Sequence, residues 1–293
     1  MTLEDLVADG WRRHADEPQT VSEALAQGAG LVTSETQLGA YVRLATHLHA
    51  EHLDDWRAGV ELLESMRLRF EDASRGPYRA ATVGIATLFL AGGEAIDLSH
   101  LSNVERSAAL ATAAPAMASR GRLADAVTAY GQALEEAVGG IPEGSPALRA
   151  LAAAGNNLAV ALEQLADRTS AETAAMIHIA DAALMYWKRA GGWLEEERAQ
   201  YRRARTRLQA GMPVEAIECS RLCLQICQKN DAPAFERFFA HAILAIAHRA
   251  AGQDAGCEQQ RSFALAQHQA LSPDELTWCE DEFKELAAKH EAA

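Results

Sequence analysis

Apolar residues recur every three to four positions along most of the chain, which is the period of an amphipathic helix. In "AGNNLAVALEQLA", Leu158, Leu162 and Leu165 form one apolar stripe. Runs of β-branched residues are absent, and segments such as "DEPQT", "GGIPEGSP" and "KNDAP" interrupt the helical pattern. The pattern predicts helices over 3–15, 20–30, 35–51, 54–71, 77–91, 102–120, 122–138, 146–167, 170–190, 193–210, 213–229, 232–251, 254–270 and 272–290. Short connections favour antiparallel neighbours, so we predict an all-α protein.

Three segments repeat the same arrangement of small and large residues. A glycine is followed five, nine and twelve positions later by a small residue, a bulkier position and another small residue, and a small residue stands seven positions before it. The three sets are Ala114, Gly121, Ala126, Tyr130 and Ala133; Ala204, Gly211, Ala216, Ser220 and Cys223; and Ala245, Gly252, Cys257, Arg261 and Ala264. Glycine ends one helix at a tight turn, and small residues let the paired helices approach closely. The pattern therefore predicts stacked helix hairpins.

These offsets resemble the tetratricopeptide repeat (TPR), and the "NNLA" helix is similar to the first helix of kinesin-light-chain-type units. The resemblance implies a right-handed superhelical solenoid of about 13–14 helices, with a concave groove lined by the first helix of each hairpin. We expect a divergent helical part over 1–100, TPR-like repeats over 101–271 and a capping helix over 272–293, as one continuous domain. That last helix begins "SPDE", in which Ser272 and Glu275 form a capping box and Pro273 takes the first helical position.

The charge balance narrows the range of partners. The 293-residue chain has a formal net charge of −14, which argues against general nucleic-acid binding and against binding to an anionic membrane surface.

The amino-terminal segment is acidic without a signal-type apolar core, and no stretch approaches the length of a membrane span. Five cysteines without a framework spacing indicate reduced thiols, and hence a cytoplasmic protein. The alanine-rich composition suggests a bacterial source.

Candidate chemistry is sparse. Cys219, Cys223 and Cys227 share one helix face, which is typical of buried core cysteines rather than of a metal site. "THLHAEHLDD" offers His47, His49, His52 and Asp55. His49 and His52 are one turn apart and Asp55 is another turn on, so a metal could be held there, but a solvated or packed face is the preferred interpretation. His241 and His248 are interpreted as packing residues. The acids Glu195–Glu197 open a helix, where they complement its dipole. We find no motif of a known catalytic centre and predict no enzyme activity, no cofactor and no metal site.

The remaining signal is a polar surface on the first helices of two neighbouring units. Asn156 and Asn157 lie off the apolar stripe of Leu158, and Gln164 lies two turns beyond Asn157. In the next unit, Arg198, Arg202 and Arg205 share one face. The predicted peptide-binding residues are Asn156, Asn157, Gln164, Arg198, Tyr201, Arg202 and Arg205.

The chemistry of these side chains suits peptide capture. In peptide-binding TPR proteins, residues at the places of Asn157, Arg198 and Arg202 contact a peptide backbone or carboxylate. Amides can pair with an extended backbone, and arginines can hold a carboxylate or phosphate. Two alternatives stay open: Glu195 and Glu196 could simply neutralise the arginines, and the amides could satisfy neighbouring backbone groups.

These features predict a protein-interaction module or scaffold that binds a peptide or partner helix in the groove. The ligand is a protein or peptide, and an acidic group on it would suit the arginines. Two alternatives are a receptor for a small signalling peptide or ligand, and a self-assembling structural unit. Self-association is left open.

Overall fold

The computed structural model describes residues 1–70 and 78–287, and within these ranges every regular element is helical. The α-helices are α1 Leu3–Arg13, α2 Pro18–Gly28, α3 Glu35–His47, α4 Trp56–Phe70, α5 Ala80–Gly92, α6 Asn103–Ser119, α7 Leu123–Glu136, α8 Pro146–Glu163, α9 Ser170–Ala190, α10 Trp193–Gln209, α11 Pro213–Lys229, α12 Ala234–Ala250, α13 Asp254–His268, α14 Pro273–Trp278 and α15 Glu280–Ala287. Two 3₁₀ turns, Ala29–Leu31 and Ala137–Gly139, and one π-helical turn, Leu48–His52, complete the set. The predicted helix boundaries at 71, 77 and 290 lie outside the described residues.

The chain forms two compact units, Met1–Ala154 and Gly155–Ala293. In the first unit, α3 packs against α5, α4 pairs with α5, and α6 pairs with α7. Leu25, Leu38, Leu44, Leu48, Leu63, Met66 and Leu88 are among its fully buried side chains. Two buried tyrosines donate to backbone carbonyls: Tyr41 to Leu25 and Tyr130 to Leu151, both at 2.8 Å. Burial of these rings therefore leaves no phenol without a partner.

In the second unit, α10 pairs with α11 and α12 with α13. The glycines that end the first helix of each repeated hairpin have positive φ angles, +74° at Gly121, +70° at Gly211 and +67° at Gly252. Side chains with a Cβ avoid this left-handed region, which explains the fixed place of glycine in the repeat. The predicted small positions before these glycines, Ala114, Ala204 and Ala245, are fully buried.

The end of the chain differs from the single capping helix that the sequence predicts. The capping box is present: Ser272 Oγ accepts from the Glu275 amide and Glu275 Oε2 accepts from the Ser272 amide. The helix then breaks at Cys279, so that α14 and α15 are separate. Cys279 and Leu286 are buried in an apolar cluster with residues of α12 and α13, namely Phe238, Ala242, Ala245, Ile246 and Ala264. The chain thus returns onto α12 rather than continuing outward.

Candidate functional site

Three arginines of α10 point to one side of the helix, as their spacing predicts. Acidic side chains of two other helices, α12 and α8, form ion pairs with them. Arg198 lies 2.5 Å from Glu236 of α12. Arg202 and Arg205 share Glu163 of α8, at 2.5 and 3.1 Å. The Glu163 and Glu236 carboxylates are almost completely buried, so each needs its guanidinium partner to offset the cost of desolvation. We call Arg198, Tyr201, Arg202 and Arg205 the basic face of α10.

The C-terminal helix α15 supplies the remaining polar partners of this face. The Tyr201 hydroxyl donates to Glu282, and Arg205 lies 2.6 Å from Glu285. Glu282 and Glu285 are three residues apart, which places both carboxylates on the same side of α15. Burial raises the pKa of Tyr201 well above its ordinary value, and the charge of Glu282 acts in the same direction. The phenol therefore stays protonated and remains a donor to Glu282.

Apolar and backbone contacts hold α15 in the same place. Leu286 is buried in the apolar cluster, and the Phe283 ring stacks on His268 with their centroids 4.3 Å apart. Arg249 donates to the carbonyl of Glu285 at 2.8 Å, and Arg261 to that of Leu286 at 3.1 Å. Cationic side chains on the last carbonyls of a helix complement its dipole. The second unit therefore recognises an acidic helix of its own chain through charge, apolar burial and helix-end contacts together.

The three predicted amides lie on α8. Asn156 is half-buried, and within the described residues its Oδ1 atom has no hydrogen-bond partner although it is buried. Asn156 stands two turns before Glu163, so both lie on nearly the same face of α8. Asn157 and Gln164 are exposed. The structure thus aligns Asn156 with the acid that binds Arg202 and Arg205, whereas Asn157 and Gln164 face solvent.

Local neutralisation of the arginines, the sequence-based alternative, holds in part: the Glu236 carboxylate raises the pKa of Arg198, and the nearby charge of Glu195 acts in the same direction. Glu195 accepts from the Gly192 amide as part of the cap of α10, and Glu196 lies 3.7 Å from Lys188. The acids that hydrogen-bond directly to the basic face stand 38 to 81 residues away along the chain. Sequence reasoning missed Glu163, Glu236, Glu282 and Glu285. For Glu282 and Glu285, the spacing of acids in the last helix was a sequence signal. Glu163 and Glu236 had none, because their pairing with the arginines depends on the tertiary fold.

The candidate cysteines of α11 and the candidate histidines of α12 are packing residues. Cys219, Cys223 and Cys227 are buried free thiols, which confirms their interpretation as core residues. His241 and His248 bond to Gln260 and Gln253 at 2.8 and 2.7 Å. Both histidines therefore link α12 to its own hairpin, as packing residues do.

Paired antiparallel helices, left-handed glycine turns and small buried contact positions define a TPR-like helical repeat protein. Among solved structures, the chain is similar to BtubC (BKLC) from P. vanneervenii, with a TM-score of 0.53, 17% identity and 92% coverage of each chain. A putative kinesin light chain with nearly identical TPR-like repeats from Podosopora anserina superposes with a TM-score of 0.48 and 17% identity, over 80% of this chain and 97% of the other. No protein-family model and no curated protein matches the chain. None of the helices within 1–70 and 78–287 combines the length and apolarity needed to cross a membrane.

Proposed function

We propose that this protein is a non-catalytic interaction module whose basic face of α10 binds an acidic helical segment of a partner protein. The observation that carries the proposal is the docking of α15, an acidic helix, onto this face through Glu282 and Glu285. A helix that carries two acids three residues apart, followed at once by a leucine, would reproduce those contacts. The five free thiols suit a reducing cytoplasm, where we place the protein.

Unsatisfied polar atoms support a ligand at this surface. Within the described residues, the buried Nε of Arg202 and the buried Oδ1 of Asn156 have no hydrogen-bond partner. A buried donor or acceptor without a partner costs about 1–3 kcal/mol. A segment that offers a carboxylate and a backbone amide would satisfy both, once displacement of the covering groups makes these buried atoms accessible. This assigns Arg202 and Asn156 to the ligand, with Asn157 and Gln164 at the exposed margin of the surface.

The acids that contact the basic face are of two kinds: two belong to the helices of the repeats, and two belong to α15, which a ligand could displace. Glu163 and Glu236 belong to long helices that form the repeats, and their carboxylates are almost completely buried. Glu282 and Glu285 belong to an eight-residue helix at the end of the described chain, and both residues are only half-buried. Removal of α15 would free Tyr201 and one side of Arg205 while Glu163 still orients the guanidinium. The ligand that fits is therefore a competitor of α15.

A labelled peptide of residues 272–287 tests this proposal on the full chain. In the host variant Glu282→Gln with Glu285→Gln, the internal helix loses its two charged contacts, so fluorescence anisotropy should show the peptide binding at least about 10-fold more tightly than to the wild type. A further Arg205→Gln substitution in this host should remove that gain.

The matched control is Glu280→Gln with Asp281→Asn, which removes two exposed acids from the same helix and should give no gain. Equal peptide affinity with and without Arg205→Gln would contradict the proposal, as would an absence of binding to every host. Capture of partners from a lysate with the Glu282→Gln/Glu285→Gln host, repeated with Asn156→Ala and Arg202→Gln, extends the test to natural ligands.

A further inference from the structure

Three histidines of the first unit lie together: His14 after α1, His47 at the end of α3 and His52 at the end of the π-helical turn. One ligating nitrogen of each lies within 4.8 Å of those of the others. Their ring centroids are 4.8 to 5.0 Å apart in all three pairs. We call these residues the histidine cluster. The ring planes are inclined to one another by 55° to 88°, so the imidazoles do not stack as a layer.

Hydrogen bonds fix the direction of two of the rings. His14 Nδ1 donates to the Trp11 carbonyl at 2.7 Å, and His47 Nδ1 donates to the Glu51 carboxylate at 2.8 Å. A carbonyl and a carboxylate can only accept, so the proton lies on Nδ1 and the lone pair lies on Nε2 in both rings. The His52 Nε2 atom lies 3.2 Å from His47 Nε2. Histidines that ligate a metal are oriented in this way, by a carbonyl or carboxylate on the second ring nitrogen.

The π-helical turn is what brings His52 to His47. In an α-helix, residues five apart are rotated by about 140° and face different sides. Here the amide of Leu53 bonds to the carbonyl of Leu48, five residues back, at 3.0 Å. This wider turn places residues five apart one above the other, so His52 lies over His47. Single π turns within helices occur frequently at functional sites.

We propose that the histidine cluster binds a zinc ion through the three Nε2 atoms. Zinc takes histidine nitrogens at about 2.0–2.1 Å, and two such ligands in a tetrahedron are about 3.4 Å apart. The separation of 3.2 Å between His47 and His52 is close to this value. Binding requires His52 to carry its proton on Nδ1, a change of tautomer only. Since His52 is exposed, water takes the fourth position.

The site differs from the sequence-based alternative at His49. That ring is buried, and both of its nitrogens are used: Nδ1 lies 3.1 Å from the Asp55 carbonyl and Nε2 lies 3.3 Å from the Ser22 hydroxyl. His49 therefore packs the π-helical turn from inside, whereas His47 is half-buried and His52 is exposed. His14 had no sequence signal, because it joins the other two only through the packing of α1 on α3. A bound zinc ion would connect α1 to the end of α3.

The test uses the untagged full chain, stripped with a chelator and dialysed. Titration with Zn²⁺ in competition with a chelating dye, together with elemental analysis, should give a single zinc ion per chain. His14→Asn and His52→Asn should each weaken binding by about 100-fold or more, and Glu51→Gln, which disturbs only the orientation of His47, by about 10-fold. His178→Asn removes an exposed histidine of α9 and should leave zinc binding unchanged.

Zinc should also raise the Tm of the wild type and of His178→Asn by several degrees, but not that of His14→Asn with His52→Asn. Circular dichroism without zinc separates loss of the site from loss of the fold. Zinc binding with the same stoichiometry and affinity in that double variant would overturn the proposal. So would a wild-type chain that binds zinc no more tightly than the double variant.

Discussion

At the scale of single residues, Glu197 is the least expected feature. The sequence places it among the acids that open α10, yet its side chain is 1% exposed and lies in the core beside the cysteines. Its Oε1 atom accepts from the Cys223 thiol at 2.8 Å, and within the described residues its Oε2 has no partner. Burial raises the pKa of Glu197 from 4.5 to about 7, and the nearby charge of Glu236 acts in the same direction. The carboxyl is therefore easier to protonate in the folded chain than in the unfolded one.

This difference predicts a pH dependence of the free energy of unfolding. Between about pH 4.5 and 7 the folded chain holds a proton on Glu197 that the unfolded chain has released, so this contribution is present at low pH and is lost as pH rises through 7. Glu197→Gln should therefore stabilise the protein more at pH 8 than at pH 5, by about 2 kcal/mol. Urea unfolding at the two pH values measures the difference. Glu218→Gln, an exposed acid of α11, is the control, and an equal gain at both pH values would contradict the prediction.

At the scale of elements, the fold was most predictable at the repeated glycine turns. The glycine offsets predicted three hairpins, and the left-handed conformation of each turn gives the physical reason. The end of α14 was not predictable in the same way, because helical periodicity continues through Cys279. The π-helical turn was also hidden, since one extra residue in a turn changes no local composition.

Two glycine substitutions should have opposite effects. Gly211→Ala places a Cβ at a φ of +70° and should lower the free energy of unfolding by about 1–2 kcal/mol. Gly131 lies within α7 with open space around its Cβ position, so Gly131→Ala should raise that free energy by about 0.5–1 kcal/mol. Thermal or urea unfolding of both variants gives the comparison. A loss of stability in Gly131→Ala as large as in Gly211→Ala would show that turn conformation is not the cause.

For the whole molecule, the main long-range feature is the docking of α15 on the basic face of α10. The sequence predicted the four residues of the basic face as part of a binding surface, and it predicted a single capping helix where the structure has α14 and α15. It could not join them, because Glu285 pairs with an arginine 80 residues earlier. Pairings of this kind depend on the order in which hairpins stack, and no local pattern encodes that order. The donors on α10 were thus predictable from the sequence, whereas the acidic side chains that contact them in the fold were not.

A buried thiol reports this docking directly. Cys279 is fully buried where α14 meets α15, so it should react with an alkylating reagent only when α15 leaves the repeats. Glu282→Gln with Glu285→Gln should speed alkylation of Cys279 severalfold while Cys223 and Cys227 stay protected, as measured by peptide mass spectrometry. Half-buried Cys257 serves as the internal reference. Glu280→Gln with Asp281→Asn removes exposed acids only; if it accelerates Cys279 equally, the charged contacts do not hold α15.

The attachment of α15 to the repeats also sets a threshold for any partner. A short tether keeps a docked segment at an effective concentration in the millimolar range. A partner present at about 1 µM must then bind the basic face about 1,000-fold more tightly than α15 does in order to occupy half of the molecules. An acidic helix that binds no more tightly than α15 would need a concentration in the millimolar range to compete, and a second contact beyond the basic face would lower that requirement. Under the proposed function, competition with α15 would therefore select among partners before any further contact is made.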